Sequence, residues 1–151
     1  TKMNNPNYVC PPIYLIEQTK EHKVYERSGQ EKPAGMVLKA KITDFRGKCV
    51  YKKNKATLNI ALSVDFEILR GPKNRNRKID FQYFVAIPKF YPEVEGKKIF
   101  SISDQFGEHS KRRRIVDELV ITMPVEVNQS FAQYPIYIGF QISPSVIENN
   151  Q

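Results

Sequence analysis

Apolar and polar residues alternate almost without a break along residues 56–69. The apolar positions are Leu58, Ile60, Leu62, Val64, Phe66 and Ile68, and the residues between them are Asn59, Ala61, Ser63, Asp65 and Glu67. A period of two would scatter apolar groups all round a helix, whereas it places them on one face of a β-strand. The pattern therefore predicts a long strand with one buried face.

Shorter versions of the same alternation predict further strands, and no segment has a convincing helical periodicity. The predicted strands cover residues 13–17, 36–45, 49–52, 79–87, 98–103, 117–123 and 136–142. Turns are predicted at 44–47 and 53–55, a loop at 18–33 and a helical turn at 143–149. In the strand at 79–87, Tyr83 falls on the apolar face and Phe84 on the opposite one.

Seven or eight strands with turn residues between them indicate an all-β protein. We expect a single antiparallel β-sandwich, immunoglobulin-like or fibronectin-like, and the alternative is a small closed barrel. A chain of 151 residues fits one domain. We assign residues 1–9 to a flexible N-terminal tether, 10–144 to the sandwich and 145–151 to a C-terminal tail. No apolar run is long enough for a membrane-spanning helix, so any membrane attachment is expected outside the chain shown.

The net charge of +8 favours anionic partners. The excess is concentrated in two places, which we call the first basic segment (residues 70–78) and the second basic segment (residues 111–114). Their candidate binding residues are Arg70, Lys73, Arg75, Arg77, Lys78, Lys111, Arg112, Arg113 and Arg114. Both segments are predicted to be loops between strands, where charge is often merely solvated. A binding patch is the alternative.

The two cysteines, Cys10 and Cys49, leave two interpretations open. A disulfide would indicate an oxidising compartment, whereas two separate buried thiols would suit a cytoplasmic protein. His22 and His109 have no cysteine or histidine at the spacing of a zinc site, so we expect no metal.

Catalytic patterns are not recognisable in the chain. The two histidines fall in polar stretches, and neither can be matched with a nucleophile that it would activate as a base. No glycine-rich loop precedes a helix. We therefore predict a protein that is not an enzyme and has no cofactor. Nucleic-acid binding is disfavoured because stacking needs exposed rings among basic residues. Here Tyr83 falls on the apolar face, which leaves only Phe84.

Five short motifs together resemble one family. They are Cys10-Pro11, Gly47-Lys48-Cys49-Val50-Tyr51, Arg70-Gly71-Pro72, Phe81-Gln82-Tyr83-Phe84-Val85-Ala86 and Gly139-Phe140-Gln141-Ile142-Ser143-Pro144. In this order they resemble small alphaproteobacterial envelope lipoproteins that carry no assigned activity. The resemblance implies a lipidated cysteine upstream of Thr1, a β-rich periplasmic domain and a disulfide between Cys10 and Cys49.

The chain is accordingly expected to be a non-enzymatic binding or assembly module of the cell envelope, with an envelope protein as partner. Exposed strand edges and the two basic segments are the expected contact surfaces. The alternative is direct binding of an anionic polymer or lipid, such as nucleic acid or an acidic membrane surface, with the arginines of both segments contacting phosphate. A third possibility is an apolar ligand held between the sheets. The oligomeric state stays open at this stage.

Overall fold

A computed structural model describes residues 8–27, 31–126 and 130–142, which form two packed β-sheets. The strands are β1 (Ile13–Leu15), β2 (Glu21–Tyr25), β3 (Met36–Lys52), β4 (Thr57–Arg70), β5 (Lys78–Ala86), β6 (Lys97–Gln105), β7 (Arg112–Pro124) and β8 (Ile136–Phe140). The β5 sheet has the order β1-β8-β5-β6, and the β4 sheet has the order β2-β3-β4-β7. The predicted β-sandwich is confirmed, since the strands fall in two separate sheets rather than one closed barrel.

The alternating pattern of β4 supplies the centre of the core. Phe66 lies on its inner face, and its ring is 5.1 Å from the rings of Phe81 and Tyr83 and 5.8 Å from that of Phe140. Both Phe81 and Phe140 belong to the opposite sheet, so these contacts hold the two sheets together. Tyr83 is fully buried, as its place on the apolar face predicts.

β3 is one strand of 17 residues, so the predicted turn at residues 44–47 is wrong. The register with β4 shifts between Ile42 and Asp44, which marks a β-bulge. The extra residue changes the phase of the alternation, and the inward side of β3 continues after it with Phe45. A break in periodicity resembles a turn in the sequence, although the strand continues.

Two further predictions are wrong at the edges of the β4 sheet. β2 lies within residues 18–33, which were predicted to be a loop. Among the described strands, β2 pairs with β3 alone, from Glu21 opposite Lys41 to Tyr25 opposite Met36. Its mostly polar residues therefore need little apolar character. β7 begins at Arg112, five residues before the predicted start at residue 117. In addition, β1 pairs parallel to β8, which departs from a purely antiparallel sandwich.

A disulfide joins the N-terminal segment to β3. Cys10 and Cys49 are bonded with their Cα atoms 5.8 Å apart, which confirms the predicted pairing. Tyr8 strengthens the attachment, because its hydroxyl accepts a 2.9 Å hydrogen bond from the Tyr51 N–H. The Tyr8 ring also lies 5.4 Å from the ring of Phe131.

Some predictions lie outside the described residues. These are residues 1–7 of the assigned tether, the helical turn at 143–149 and the tail at 145–151. Among the residues that are described, none belongs to a helix with the length and apolar character needed to span a membrane.

Candidate functional site

The two basic segments are neighbours in space because β4 and β7 pair. Leu69 near the end of β4 lies opposite Arg112 at the start of β7. Beyond this pair, the Arg70 N–H donates a 2.8 Å hydrogen bond to the Lys111 carbonyl oxygen. Segments separated by more than thirty residues therefore meet at one end of the β4 sheet.

An open groove of about 560 Å³ lies where the segments meet, and we call it the basic groove. Its lining residues are Arg70, Gly71, Pro72, Asn74, His109, Ser110 and Lys111. Both basic segments contribute, so they form one surface rather than two isolated loops. Asn74, His109 and Ser110 were not among the predicted site residues, since nothing in their local sequence marks them.

Gly71 fixes the first basic segment against β3. A Cβ atom at this position would lie 2.1 Å from the Met36 carbonyl oxygen, so only glycine allows the two backbones to approach this closely. The Gly71 N–H donates to the Val37 carbonyl oxygen at 2.8 Å, and the Lys73 N–H donates to the Met36 carbonyl oxygen at 3.0 Å. Backbone hydrogen bonds thereby hold the start of the loop against β3.

Asn74 lies beneath the surface of the groove and is only 4% exposed. Its side-chain Nδ2 donates to the Lys78 backbone carbonyl oxygen at 3.0 Å, and its backbone carbonyl oxygen accepts from Arg70 Nε at 3.0 Å. Its Oδ1 has no hydrogen-bond partner among the described residues. An unpaired buried acceptor costs about 1–3 kcal/mol, so a bound water or ligand donor at this atom would stabilise the groove.

Arg70 is positioned by contacts other than ion pairs. Its guanidinium carbon lies 5.9 Å from the centre of the buried Phe106 ring, within range of a cation–π interaction. Among the described residues no carboxylate pairs with it, so its charge remains available at the groove.

Three of the nine candidate cations are partly neutralised by carboxylates. Arg113 Nε lies 3.1 Å from Asp104 Oδ2, and this pair connects β7 with β6 of the other sheet. Arg112 Nε is 3.7 Å from Glu67 Oε2, and Lys73 Nζ is 3.9 Å from Glu26 Oε2.

The second basic segment was predicted to be a loop, and this prediction is wrong for its three arginines. They start β7, where the pleat sends Arg113 to the inner side and Arg112 and Arg114 to the outer side. The candidate cations without an ion pair in the described part of the chain are Arg70, Arg75, Arg77, Lys78, Lys111 and Arg114.

A second groove of about 670 Å³ crosses the outer face of the β4 sheet. Small residues at its floor include Ala61 and Ser63, with Arg46 and Lys48 on one side and Glu118 on the other. The Arg46 guanidinium already has a partner in this groove, since it donates two hydrogen bonds of 3.0 and 3.1 Å to the Asp65 carboxylate. This hydrogen bonding raises the pKa of the Arg46 guanidinium.

Tyr83 and Asp117 form an acid and phenol pair that lies away from the basic groove. The Tyr83 hydroxyl donates to Asp117 Oδ2. Burial, together with this bond to a carboxylate, raises the pKa of Tyr83. The phenol therefore stays protonated and anchors β5 to β7. In the described ranges no three histidine, cysteine or acidic side chains lie close enough to hold a metal ion.

No protein-family model matches this chain, and searches of curated proteins and of solved structures also found no match. The functional interpretation therefore depends on the residues and geometry described above.

Proposed function

We propose that this protein is a non-enzymatic binding module of the bacterial cell envelope, and that its basic groove binds an acidic protein partner. The meeting of the two basic segments around one groove carries the proposal. Arg70 and Lys111 line the groove, have no ion pair among the described residues, and flank a floor that backbone hydrogen bonds hold in place. The exposed Arg75 directly follows the lining residue Asn74. Such a concentration of one sign of charge attracts and orients an acidic partner.

The disulfide supports an oxidising compartment, since cytosolic thiols are normally kept reduced. The resemblance to envelope lipoproteins agrees with this and adds a lipid anchor upstream of Thr1. The proposed location is thus the periplasm, with the domain attached to a membrane by that anchor.

The position of the groove favours a protein partner over the anchoring membrane. Tyr8, the first described residue, contacts Tyr51, which lies opposite Leu58 near the start of β4. The basic groove lies beyond Arg70, at the other end of this strand of 14 residues. At about 3.3 Å per residue the two ends are about 40 Å apart. An anchor upstream of Tyr8 would therefore be attached at the end of the β4 sheet opposite to the groove.

Direct binding of an anionic lipid or nucleic acid is the second candidate. The exposed cations Arg75, Lys78 and Lys111 support it, because phosphate contacts need charge more than a shaped pocket. No Phe, Tyr or Trp ring lines the groove, since Phe106 is fully buried beneath Arg70, and His109 supplies the one aromatic ring among its lining residues.

A comparison of three probes tests the proposal. We would titrate the full chain, with its disulfide intact, against an oligoglutamate peptide, phosphatidylglycerol vesicles and single-stranded oligothymidine. We expect the peptide to bind, and its affinity to fall about tenfold or more when salt rises from about 50 to about 300 mM. We expect the double variant Arg75→Glu/Lys111→Glu to lose most of this binding.

Lys53→Glu/Lys55→Glu is the matched control. It changes the net charge by the same amount, but its exposed lysines lie at the far end of β4. An equal loss of affinity in both variants would show attraction by net charge alone and would overturn the proposed groove. Tighter binding to vesicles or oligothymidine than to the peptide would overturn the protein partner in favour of the second candidate.

A further inference from the structure

β7 presents a long open edge. It is a strand of 13 residues that pairs with β4 along one side, and no described strand pairs with its other side. The backbone N–H and C=O groups on an open edge are a template for another strand. Natural proteins usually protect such an edge with proline, lysine, inward-pointing charges or a covering segment. Residues 112–123 contain neither proline nor lysine, and the inward-pointing Arg113 and Asp117 are already bound to Asp104 and Tyr83 of the same chain.

The outer side of this edge is apolar at two exposed positions. Val116 is 57% exposed and Val120 is 70% exposed, and both line the groove on the outer face of the β4 sheet. Arg114 and Glu118 lie on the same side, one on each side of Val116 at a spacing of two residues. Neither has an ion pair within the described ranges.

We propose that the occupant of this edge is a second copy of the chain, paired antiparallel through β7 with the twofold axis at Val116. Directly opposite residues of antiparallel strands project to the same side of the sheet. The twofold axis must therefore lie midway between the two copies of one residue, which face each other. With Val116 on the axis, Arg114 of each copy faces Glu118 of the other. Two new ion pairs thus form from four charges that have no ion pair among the described residues of their own copy.

Neighbouring axes are less favourable. An axis at Asp117 or at Glu118 would bring two identical carboxylates face to face. An axis at Ile115 would match Arg112 with Glu118 and Arg113 with Asp117, but both arginines already pair with carboxylates of their own chain. An axis at Leu119 would place Arg114 opposite Pro124 and pair no opposite charges.

Pairing centred on Val116 joins nine residues of each copy, 112–120, through about eight to ten backbone hydrogen bonds. The two β4 sheets would become one continuous sheet of eight strands. The paired residues do not include any that line the basic groove, so self-association extends the proposed function without depending on it.

Charge reversal gives a direct test by sedimentation equilibrium of the disulfide-bonded chain. We expect the wild type to dimerise, and Glu118→Arg or Arg114→Glu alone to weaken dimerisation about tenfold or more, because each places like charges opposite one another. The double variant Arg114→Glu/Glu118→Arg restores both pairs with their signs exchanged. We expect it to dimerise as the wild type does.

Several outcomes would overturn the inference. A wild type that is monomeric at all concentrations would leave the edge for a strand of a different protein. Dimers unaffected by either single charge reversal would place the interface elsewhere. A double variant that stays monomeric would refute the pairing of Arg114 with Glu118 of the other copy. Circular dichroism on each variant confirms the fold. Binding of the oligoglutamate peptide is scored separately, so the proposed function can survive a failure here.

Discussion

Several residues of the five short sequence motifs occupy positions where two parts of the chain approach closely. A Cβ atom at Gly71 would collide with the Met36 backbone, and one at Gly139 would lie 2.0 Å from Thr19 Oγ1. Cys49 forms the disulfide, and Phe81 and Tyr83 pack in the core. These motif residues therefore maintain packing, whereas the charge of the candidate site comes from Arg70, which is itself in a motif, and from basic residues outside the motifs.

Gly71→Ala tests this at the groove. The added methyl group must displace the backbone of Met36 or of the loop, so we expect a loss of about 1–3 kcal/mol in the free energy of unfolding, measured by urea denaturation. Gly107→Ala is the control, because its nearest contact would be Ser110 Cβ at 3.4 Å. We expect that variant to stay within about 0.5 kcal/mol of the wild type. Equal stability of both variants would contradict the close approach at Gly71.

His22 is a titratable group placed against the core. Its ring stacks on Phe140 at 5.8 Å, and burial lowers its pKa. The folded state then binds fewer protons than the unfolded state, in which the pKa is about 6.5. The stabilisation from neutral His22 is thus complete above pH of about 6.5 and is lost as the pH falls below that value.

We expect His22→Phe to remove this component and retain the stacking. Urea denaturation between pH of about 7 and 5 would show a shallower loss of stability in the variant than in the wild type. Parallel curves for the two proteins would contradict a buried, neutral His22.

At the scale of elements, regular alternation made β4 and β5 predictable from the sequence, since both present apolar residues at every second position. The bulge after Ile42 hid the continuity of β3, and the polar edge strand β2 carried no periodic signal. The start of β7 was missed because three consecutive arginines suggest a solvated loop. All three errors arise where pairing to a neighbouring strand, rather than burial, determines the structure.

The disulfide is the element-scale feature with the largest expected effect on stability. It closes a loop of 39 residues. The chain-entropy relation gives a stabilisation of about 4 kcal/mol for a loop of this length. We expect reductant to lower the urea midpoint of the wild type strongly. The variant Cys10→Ala/Cys49→Ala should unfold near the reduced midpoint with or without reductant. A wild-type midpoint that does not respond to complete reduction would contradict a stabilising role.

At the scale of the whole molecule, the pairing of β4 with β7 has two consequences. At one end it brings together residues that follow β4 and residues that precede β7, which creates the basic groove. Along its length it leaves the other side of β7 without a partner strand among the described residues. Neither consequence could be predicted from the sequence, because both depend on the order of strands in the sheet. The basic residues themselves were identified in advance, but not which of them form ion pairs.

The N-terminal attachment and the groove lie at opposite ends of the β4 sheet. Tyr8 and the disulfide hold the chain near the end of β3, whereas Lys111 and Asn74 lie beyond the end of β4. This arrangement is compatible with the proposed module, in which the anchor and the binding groove would lie at opposite ends.

The most direct test of the central claim, that both basic segments form one binding site, is a backbone amide titration by NMR with the oligoglutamate peptide. We expect the resonances of Gly71, Asn74, Ser110 and Lys111 to shift together and to give the same dissociation constant. Shifts confined to one segment, or shifts centred on the lysines at Lys53–Lys55, would contradict the account.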